Sequence, residues 1–392
     1  MRDHHARGQM GLLCAALLVA PCIASDPVVG PAAPWGEEPT MRQAIRADAH
    51  GPRIIAHRGA SALRPEHTLE AYAKAIADGA DFIEPDLVMT RDGALVARHE
   101  NEIGSTTDVA ERPQFAARKR RQQVDGVEAE GWFVEDFSLD ELRELRTIER
   151  LPELRGTGHD GRHAVPTLDE IVEHVERLAQ EAGRDIGLVP EIKHSSHFHA
   201  LGLDPEATLV ERLRHHAYTR RVPVGVQSFE IGNLRRLRGL LDTAGLDNVF
   251  LVQLIGGPEE SPYDRALAGE PLPYLQMVSS PAALAEIAGY AEVLAPHLRY
   301  VLPLDASGAL APPSPLVQAA HAAGLAVHVW TLRPENHFLP PALRCEGDAR
   351  TRCLEGALAE ARALADAGVD ALFSDDPGAL APLRATTAAA TK

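Results

Sequence analysis

Five residues between Ile54 and Glu100 have types and spacing that could do chemistry: His57, Arg58, Glu84, Asp86 and His99. Glu84 and Asp86 stand two apart on an expected strand, so their side chains leave the same face. Carboxylates crowded into a closed space repel unless one is protonated or a cation sits between them. Oxygen donors of this kind suit the hard ions Ca²⁺ and Mg²⁺. Pro85 between the two acids cannot donate a ladder hydrogen bond, which marks a strand end or a bulge. Glu191, in Val189-Pro-Glu-Ile-Lys193, closes another apolar strand and adds a third acid, with Lys193 on the same face. His57 and His99 are candidates for general acid and base because imidazole titrates near neutrality. The chain has 18 histidines, so these two are singled out by position, each following an apolar strand near the acids. Arg58 offers a planar fork to a phosphate oxygen, or an ion pair to Glu84 or Asp86, and the two uses are compatible.

Residues so far apart need a scaffold that returns the chain to one place. Strand-like segments at 53–56, 82–88, 186–192, 222–227, 249–254, 292–295, 326–331 and 371–374 alternate with helical ones at 66–78, 167–181, 205–216, 231–241, 281–291, 315–323 and 355–367. Leu69, Tyr72, Ala73 and Ile76 recur at helical spacing, and Gly79 closes that helix as a C-cap. Alternation of this kind implies βα units and a parallel sheet. Eight units in this length point to a TIM-type (β/α)8 barrel, and the glycine-rich fingerprint of a dinucleotide fold is absent. Residues 94–98 read as an extra hairpin strand. Residues 100–161 are charged and weakly periodic, an insertion after the second strand on the loop face. The basic run Arg118–Arg121 within it reads as a solvated face. No internal repeat is present.

The N-terminus reads as a secretory signal peptide over residues 1–24: Arg2 and Arg7, a short apolar run from Met10, then Pro21-Cys-Ile-Ala-Ser25. The run is too short for a membrane anchor, and Pro21 fits poorly with lipid attachment at Cys22. Residues 25–51 form a Pro-, Ala- and Glu-containing lead-in to a domain at 52–392. Export places the protein in the periplasm or outside the cell, without stable membrane insertion. Cleavage leaves Cys345 and Cys353, eight apart, which in that compartment favours a disulfide over a metal site. A net charge of −17 argues against nucleic acid as a partner, since phosphate contacts need a basic face. An anionic substrate would need locally concentrated positive charge.

The chain resembles the glycerophosphodiester phosphodiesterases, and most closely their exported bacterial branch. The resemblance is carried by His57-Arg58-Gly59-Ala60, Pro65-Glu66-His67-Thr68-Leu69-Glu70, Gly79–Glu84, Asp86–Thr90 and Thr107-Asp108-Val109. It continues through Pro190-Glu191-Ile192-Lys193, Val226-Gln227-Ser228-Phe229, Leu251–Ile255 and Leu372-Phe373-Ser374-Asp375. It implies a TIM barrel with a small insertion after the second strand. It also implies one divalent cation, Ca²⁺ before Mg²⁺, held by Glu84, Asp86 and Glu191. His57 and His99 would be the acid–base pair, with Arg58 and Lys193 on the phosphate. The implied substrate is a small-molecule glycerophosphodiester, a deacylated phospholipid, split to sn-glycerol 3-phosphate and an alcohol. Two departures stand out: Glu100 follows His99 where many members have Asp, and Trp330 ends a strand where the exported branch often has Tyr. Trp330 is read as lining the glycerol or alcohol pocket, with core packing as the alternative. The rival readings are a phospholipase-D-like lyase on lysolipids and a catalytically silent binding protein on the same barrel. A carbohydrate hydrolase using Glu84 and Asp86 is more distant, because it leaves both histidines without roles.

Overall fold

A computed structural model describes residues 41–385. The expected signal peptide (residues 1–24) and residues 25–40 of the expected lead-in lie outside the described residues. Eight parallel strands close into a ring. They are β1 (Arg53–His57), β2 (Phe82–Glu84 continued by Asp86–Met89), β3 (Gly187–Leu188 continued by Glu191–Ile192), β4 (Val224–Ser228), β5 (Val249–Ile255), β6 (Val293–Pro296), β7 (Ala326–Leu332) and β8 (Ala371–Ser374). β8 pairs in parallel with β1, and β5 pairs with both β4 and β6, so no edge is left open. The helices α1 (Leu69–Ala77), α2 (Leu168–Ala182), α3 (Pro205–His215), α4 (Ile231–Ala244), α5 (Pro281–Ala288), α6 (Leu316–Ala322), α7 (Leu354–Asp366) and α8 (Ala381–Ala385) follow the strands in turn. This is the expected (β/α)8 barrel.

Both composite strands are broken at a proline, Pro85 in β2 and Pro190 in β3, because proline supplies no N–H to the ladder. Beyond the breaks the ladder resumes with Asp86 opposite Glu191 and Glu191 opposite Gln227. On the other side His57 stands opposite Glu84. Register alone therefore sets four chemically active side chains at one level of the barrel mouth. The expected hairpin strand is Leu95–Ala97, antiparallel to the second half of β2.

One helix begins later than its periodicity predicts. Residues 65–68 form a turn with His67 at φ 56°, and Thr68 caps α1 by accepting from the Ala71 amide at 3.1 Å. The capping geometry displaces Glu66 and His67 from the helix and aims them at the site.

The insertion is built from short 3-10 turns, an antiparallel ribbon (Arg120–Val124 with Val127–Gly131) and the short helices Leu139–Leu142 and Pro152–Arg155. Its Phe115, Val134, Phe137 and Leu142 join the main hydrophobic core, so it packs as part of the barrel. The basic run is used internally: Arg118 pairs with Glu141, Arg120 with Asp136, and Lys119 and Arg121 with Glu130. Cys345 and Cys353 form a disulfide in the β7–α7 loop, where Leu339 and Ala357 pack around it. No described helix is long and apolar enough to cross a membrane.

The barrel interior shows why two strands carry glycine. Phe82 and Phe250 meet edge-to-face at 6.5 Å, and their rings fill the space where side chains of Gly187 and Gly225 would project. A Cβ at Gly187 would lie 2.2 Å from the Phe82 ring, and one at Gly225 would lie 2.5 Å from the Phe250 ring. Gly225→Ala should therefore destabilise the fold by about 1–3 kcal/mol through overpacking. Thermal melting should show that adding Phe250→Leu recovers part of this loss. Strictly additive effects would mean that the two side chains do not compete for the same space.

Candidate active site

The turn that leaves β1 shapes the site. Arg58 (φ 59°) and Gly59 (φ 85°) both occupy left-handed backbone, and a Cβ at Gly59 would lie 2.7 Å from the Ala71 backbone. Glycine there avoids both the steric clash and the conformational strain. The turn points the Arg58 amide at Glu84 Oε2, which it reaches at 2.7 Å. Glu84 Oε1 accepts from Gln227 Nε2 at 2.9 Å.

Glu84, Asp86 and Glu191 are all buried, and each offers an oxygen within 4.8 Å of the others. Burial and the charges of Asp86 and Glu191 push the Glu84 carboxyl well above its ordinary range. Burial likewise pushes Glu191 up to about 8, although Lys193 opposes it with a 2.8 Å ion pair. For Asp86 burial works in the same direction but is outweighed by Lys193, His99 and His67, so it stays ionised. His67 Nε2 lies 2.9 Å from Asp86 Oδ2, and Arg58 Nε lies 3.5 Å from the same oxygen. Asp86 Oδ1 is buried with no hydrogen-bond partner. An orphaned carboxylate oxygen beside two acids that burial and mutual repulsion push upward fits a divalent cation, since a cation would supply that oxygen with a partner and relieve the repulsion that raises Glu84 and Glu191.

The histidines flank the acids, and both line a cavity of about 70 Å³ together with Arg58, Glu84, Glu191 and Trp330. His57 Nδ1 lies 2.6 Å from Asp375 Oδ1, at the end of β8. Asp375 Oδ2 in turn accepts from Arg155 at 2.6 Å and from Arg333 at 2.9 Å. Burial would raise Asp375, but Arg333, Arg155 and His57 hold it well below the carboxylate range. His99 pairs through Nδ1 with Glu100, and its Nε2 lies 3.3 Å from Lys193 Nζ. Burial and the neighbouring Arg58 lower His57 to about 4, and burial with Arg58 and Lys193 lowers His99 to about 3, so both rings are neutral at pH 7.

Each residue singled out in the sequence thus reaches the mouth of the barrel. Trp330 has two roles there. Its Nε1 donates to the Ala295 carbonyl at 2.9 Å, and its ring packs edge-on against Phe229 and His297 while forming a cavity wall. Arg58 takes up the ion pair weighed for it, though its main partner is Glu66 at 3.0 Å.

Sequence reasoning assigned no role to the residues that hold this set in place. Glu66 takes both Arg58 and Arg150, and Arg150 also bridges to Glu100 at 2.5 Å. Arg155 ties Asp375 to Glu335. Buried Arg98 donates to the carbonyls of Glu66, His67 and Thr106, fixing the turn before α1 against the insertion. Asp375 and Gln227 were legible in principle as polar residues at the ends of apolar strands. Arg150 and Arg155 lie in weakly periodic sequence that carried no local signal.

The family model described as the glycerophosphoryl diester phosphodiesterase family matches residues 57–379. The chain belongs to that family. It is 32% identical to a glycerophosphodiester phosphodiesterase of Arabidopsis thaliana over 74% of this chain and 76% of the relative. It is also 32% identical to one of Haemophilus influenzae over 62% of this chain and 68% of the relative. The fold matches an Oleispira antarctica phosphodiesterase solved with its product sn-glycerol-3-phosphate (TM-score 0.54, 20% identity, 85% of this chain and 96% of that one). It matches a glycerophosphodiester phosphodiesterase of Agrobacterium tumefaciens at TM-score 0.50, with 18% identity over 84% of this chain and 99% of that one. In this family member the acid cluster makes a specific prediction. Glu191, pushed up to about 8, must lose its proton for a cation to bind. The rise in melting temperature produced by Ca²⁺ should therefore grow between about pH 6 and about pH 8 and disappear in Asp86→Asn. A shift independent of pH, or one retained in that variant, would place the ion elsewhere.

Proposed function

We propose that the protein is an exported, divalent-cation-dependent hydrolase that splits glycerophosphodiesters into sn-glycerol 3-phosphate and an alcohol. The observation that carries the reading is the buried Glu84–Asp86–Glu191 cluster with its unpartnered Asp86 Oδ1, flanked by two carboxylate-backed histidines. Family membership supports the reaction class. Glu84, Asp86 and Glu191 would hold the ion, Ca²⁺ or Mg²⁺, because the donors are all oxygens. When bound, the cation would offset the charge with which a phosphodiester repels nucleophiles and polarise its phosphoryl oxygen.

The remaining steps belong to the side chains. Asp375 accepts the Nδ1 proton of His57, which leaves Nε2 as the ring's free nitrogen. Glu100 plays the same part for His99. Arg58 keeps its buried Nε without a hydrogen-bond partner, and Lys193 stands between Glu191 and His99; both can donate to phosphate oxygens. In our reading one histidine takes the proton of a glycerol hydroxyl as that oxygen bonds to phosphorus. The other gives a proton to the alcohol oxygen as its bond to phosphorus breaks. Water then opens the cyclic phosphate with the two roles exchanged. The bound anion favours the charged imidazolium, countering the burial and cationic neighbours that keep both rings neutral in its absence.

His57→Ala and His99→Ala should each lower turnover by about a thousandfold, the size expected of a lost acid or base, with little change in melting temperature. Asp375→Asn should cost about 10- to 100-fold in turnover because His57 loses the carboxylate that orients it, and should also lower the melting temperature because Arg155 and Arg333 lose their shared partner. Chromatography of the products completes the check: glycerol phosphate should accumulate, whereas a lasting cyclic phosphate would mean a lyase.

A further inference from the structure

The loop between β7 and α7 folds into a hairpin that grips both acids at the end of β8. Its first arm leaves β7 through Arg333, whose Nε donates to Asp375 Oδ2 at 2.9 Å. Its second arm returns through Arg352, which pairs with the next acid, Asp376. Between these points the arms join backbone to backbone. Cys353 N donates to the Pro334 carbonyl at 2.7 Å, Asn336 N to that of Thr351 at 2.8 Å, and His337 N to that of Ala349 at 3.1 Å. Glu335 stands opposite Arg352 in this pairing, and its buried carboxylate accepts from Arg155 Nε at 2.7 Å. Arg155 turns Nη2 to Asp375 Oδ2 at 2.6 Å, and Asp375 Oδ1 lies 2.6 Å from His57 Nδ1. The first arm thus holds Asp375 twice, directly through Arg333 and by way of Glu335 and Arg155.

Little apolar surface holds the hairpin itself. Residues 346–350 at its tip are exposed, and the cluster beneath it consists of Leu339, Ala357 and the two cysteines. Asn336 ties the tip to the first arm, donating through Nδ2 to the Cys345 carbonyl at 2.9 Å and accepting through Oδ1 from the Cys345 amide at 3.1 Å. The Cys345–Cys353 bond then closes the tip onto the second arm. A segment with so few buried apolar contacts opens locally at low cost once such a tie is cut. The main core of the barrel, which includes none of these hairpin residues, would stay folded.

We propose that the Cys345–Cys353 bond fixes the hairpin that positions Asp375, and through Asp375 the His57 ring, so that full turnover requires the oxidised bridge. Glu335 and Arg155 are then positioning residues. The inference rests on the role of His57 in the phosphodiesterase reading above. Reduction by a dithiol balances as follows. One of its thiolates attacks the partly exposed Cys345 sulfur, and the S–S bond breaks with its electron pair passing to Cys353, which takes a proton. The second thiol closes the reductant into a cyclic disulfide and frees Cys345 as a thiol. An oxidising compartment preserves the bond and with it the alignment of His57.

The test compares the oxidised protein, the protein treated with dithiothreitol, and the treated protein re-oxidised with glutathione disulfide. One readout is kcat and KM for glycerophosphocholine in saturating Ca²⁺. The other is the downfield proton resonance of the His57 Nδ1–H held by Asp375, assigned by its loss in His57→Ala. Reduction should lower kcat by about three- to tenfold, less than the loss of Asp375 itself, and change KM by less than about twofold. It should also broaden or remove the resonance, and re-oxidation should restore both. Cys345→Ser/Cys353→Ser should have the kcat of the reduced protein and should not respond to dithiothreitol. Glu335→Gln, with the bond intact, should lower kcat by a similar factor, and it decides the matter if the reduced protein melts below the assay temperature. A folded reduced protein with unchanged kcat or an unchanged resonance overturns the proposal, as does a wild-type kcat in Glu335→Gln. If no form hydrolyses the diester, yet the resonance is lost on reduction and returns on re-oxidation, the positioning stands and the reaction reading fails.

Discussion

Mutual repulsion among Glu84, Asp86 and Glu191 is the constraint that the rest of the mouth answers. Three acids on two adjacent strands are brought within one ligand sphere by the register that sets Asp86 opposite Glu191. Buried together, they cannot all be ionised without positive charge nearby. Lys193, Arg58 and His67 each lie against one of them, yet Asp86 Oδ1 still has no partner. The three acids together could hold a cation, whose charge would add to that of Lys193 and Arg58.

Carboxylates hold the histidines in place, and arginines of the insertion hold those carboxylates. Arg150 and Arg155 reach in from the insertion, one to Glu66 and Glu100, the other to Asp375 and Glu335. These paired charges have one-sided consequences. Removing Arg155 would leave the buried carboxylate of Glu335 without a cation, which typically costs several kcal/mol, whereas Glu66 and Asp375 each keep a second arginine. The insertion therefore reaches the mouth through the carboxylates that back His57 and His99.

The eightfold alternation, the strand ends and the composite nature of β2 were legible in the sequence, because apolar runs, prolines and helical spacing are local signals. So were His57, Arg58, Glu84, Asp86, His99, Glu191 and Lys193, which the structure brings to one mouth, and the Cys345–Cys353 bridge. The start of α1 was not, since the Thr68 cap overrides a periodicity that runs on through Glu66. The partners of Asp375, namely Arg333, Arg155 and His57, lie 42, 220 and 318 residues away in sequence. Pairings that distant are set by tertiary closure, which no local pattern encodes. Trp330 could be read as core or as pocket, and its place between two cavities makes it both.

The central claim is that chemistry at this mouth depends on a cation held by the three acids. The most direct measurement follows glycerol 3-phosphate release from glycerophosphocholine by protein stripped with a chelator and then given back Ca²⁺ or Mg²⁺. The account predicts that release stops on stripping and returns with the ion, and that Asp86→Asn stays inactive throughout. Release that continues undiminished in the stripped protein would contradict it.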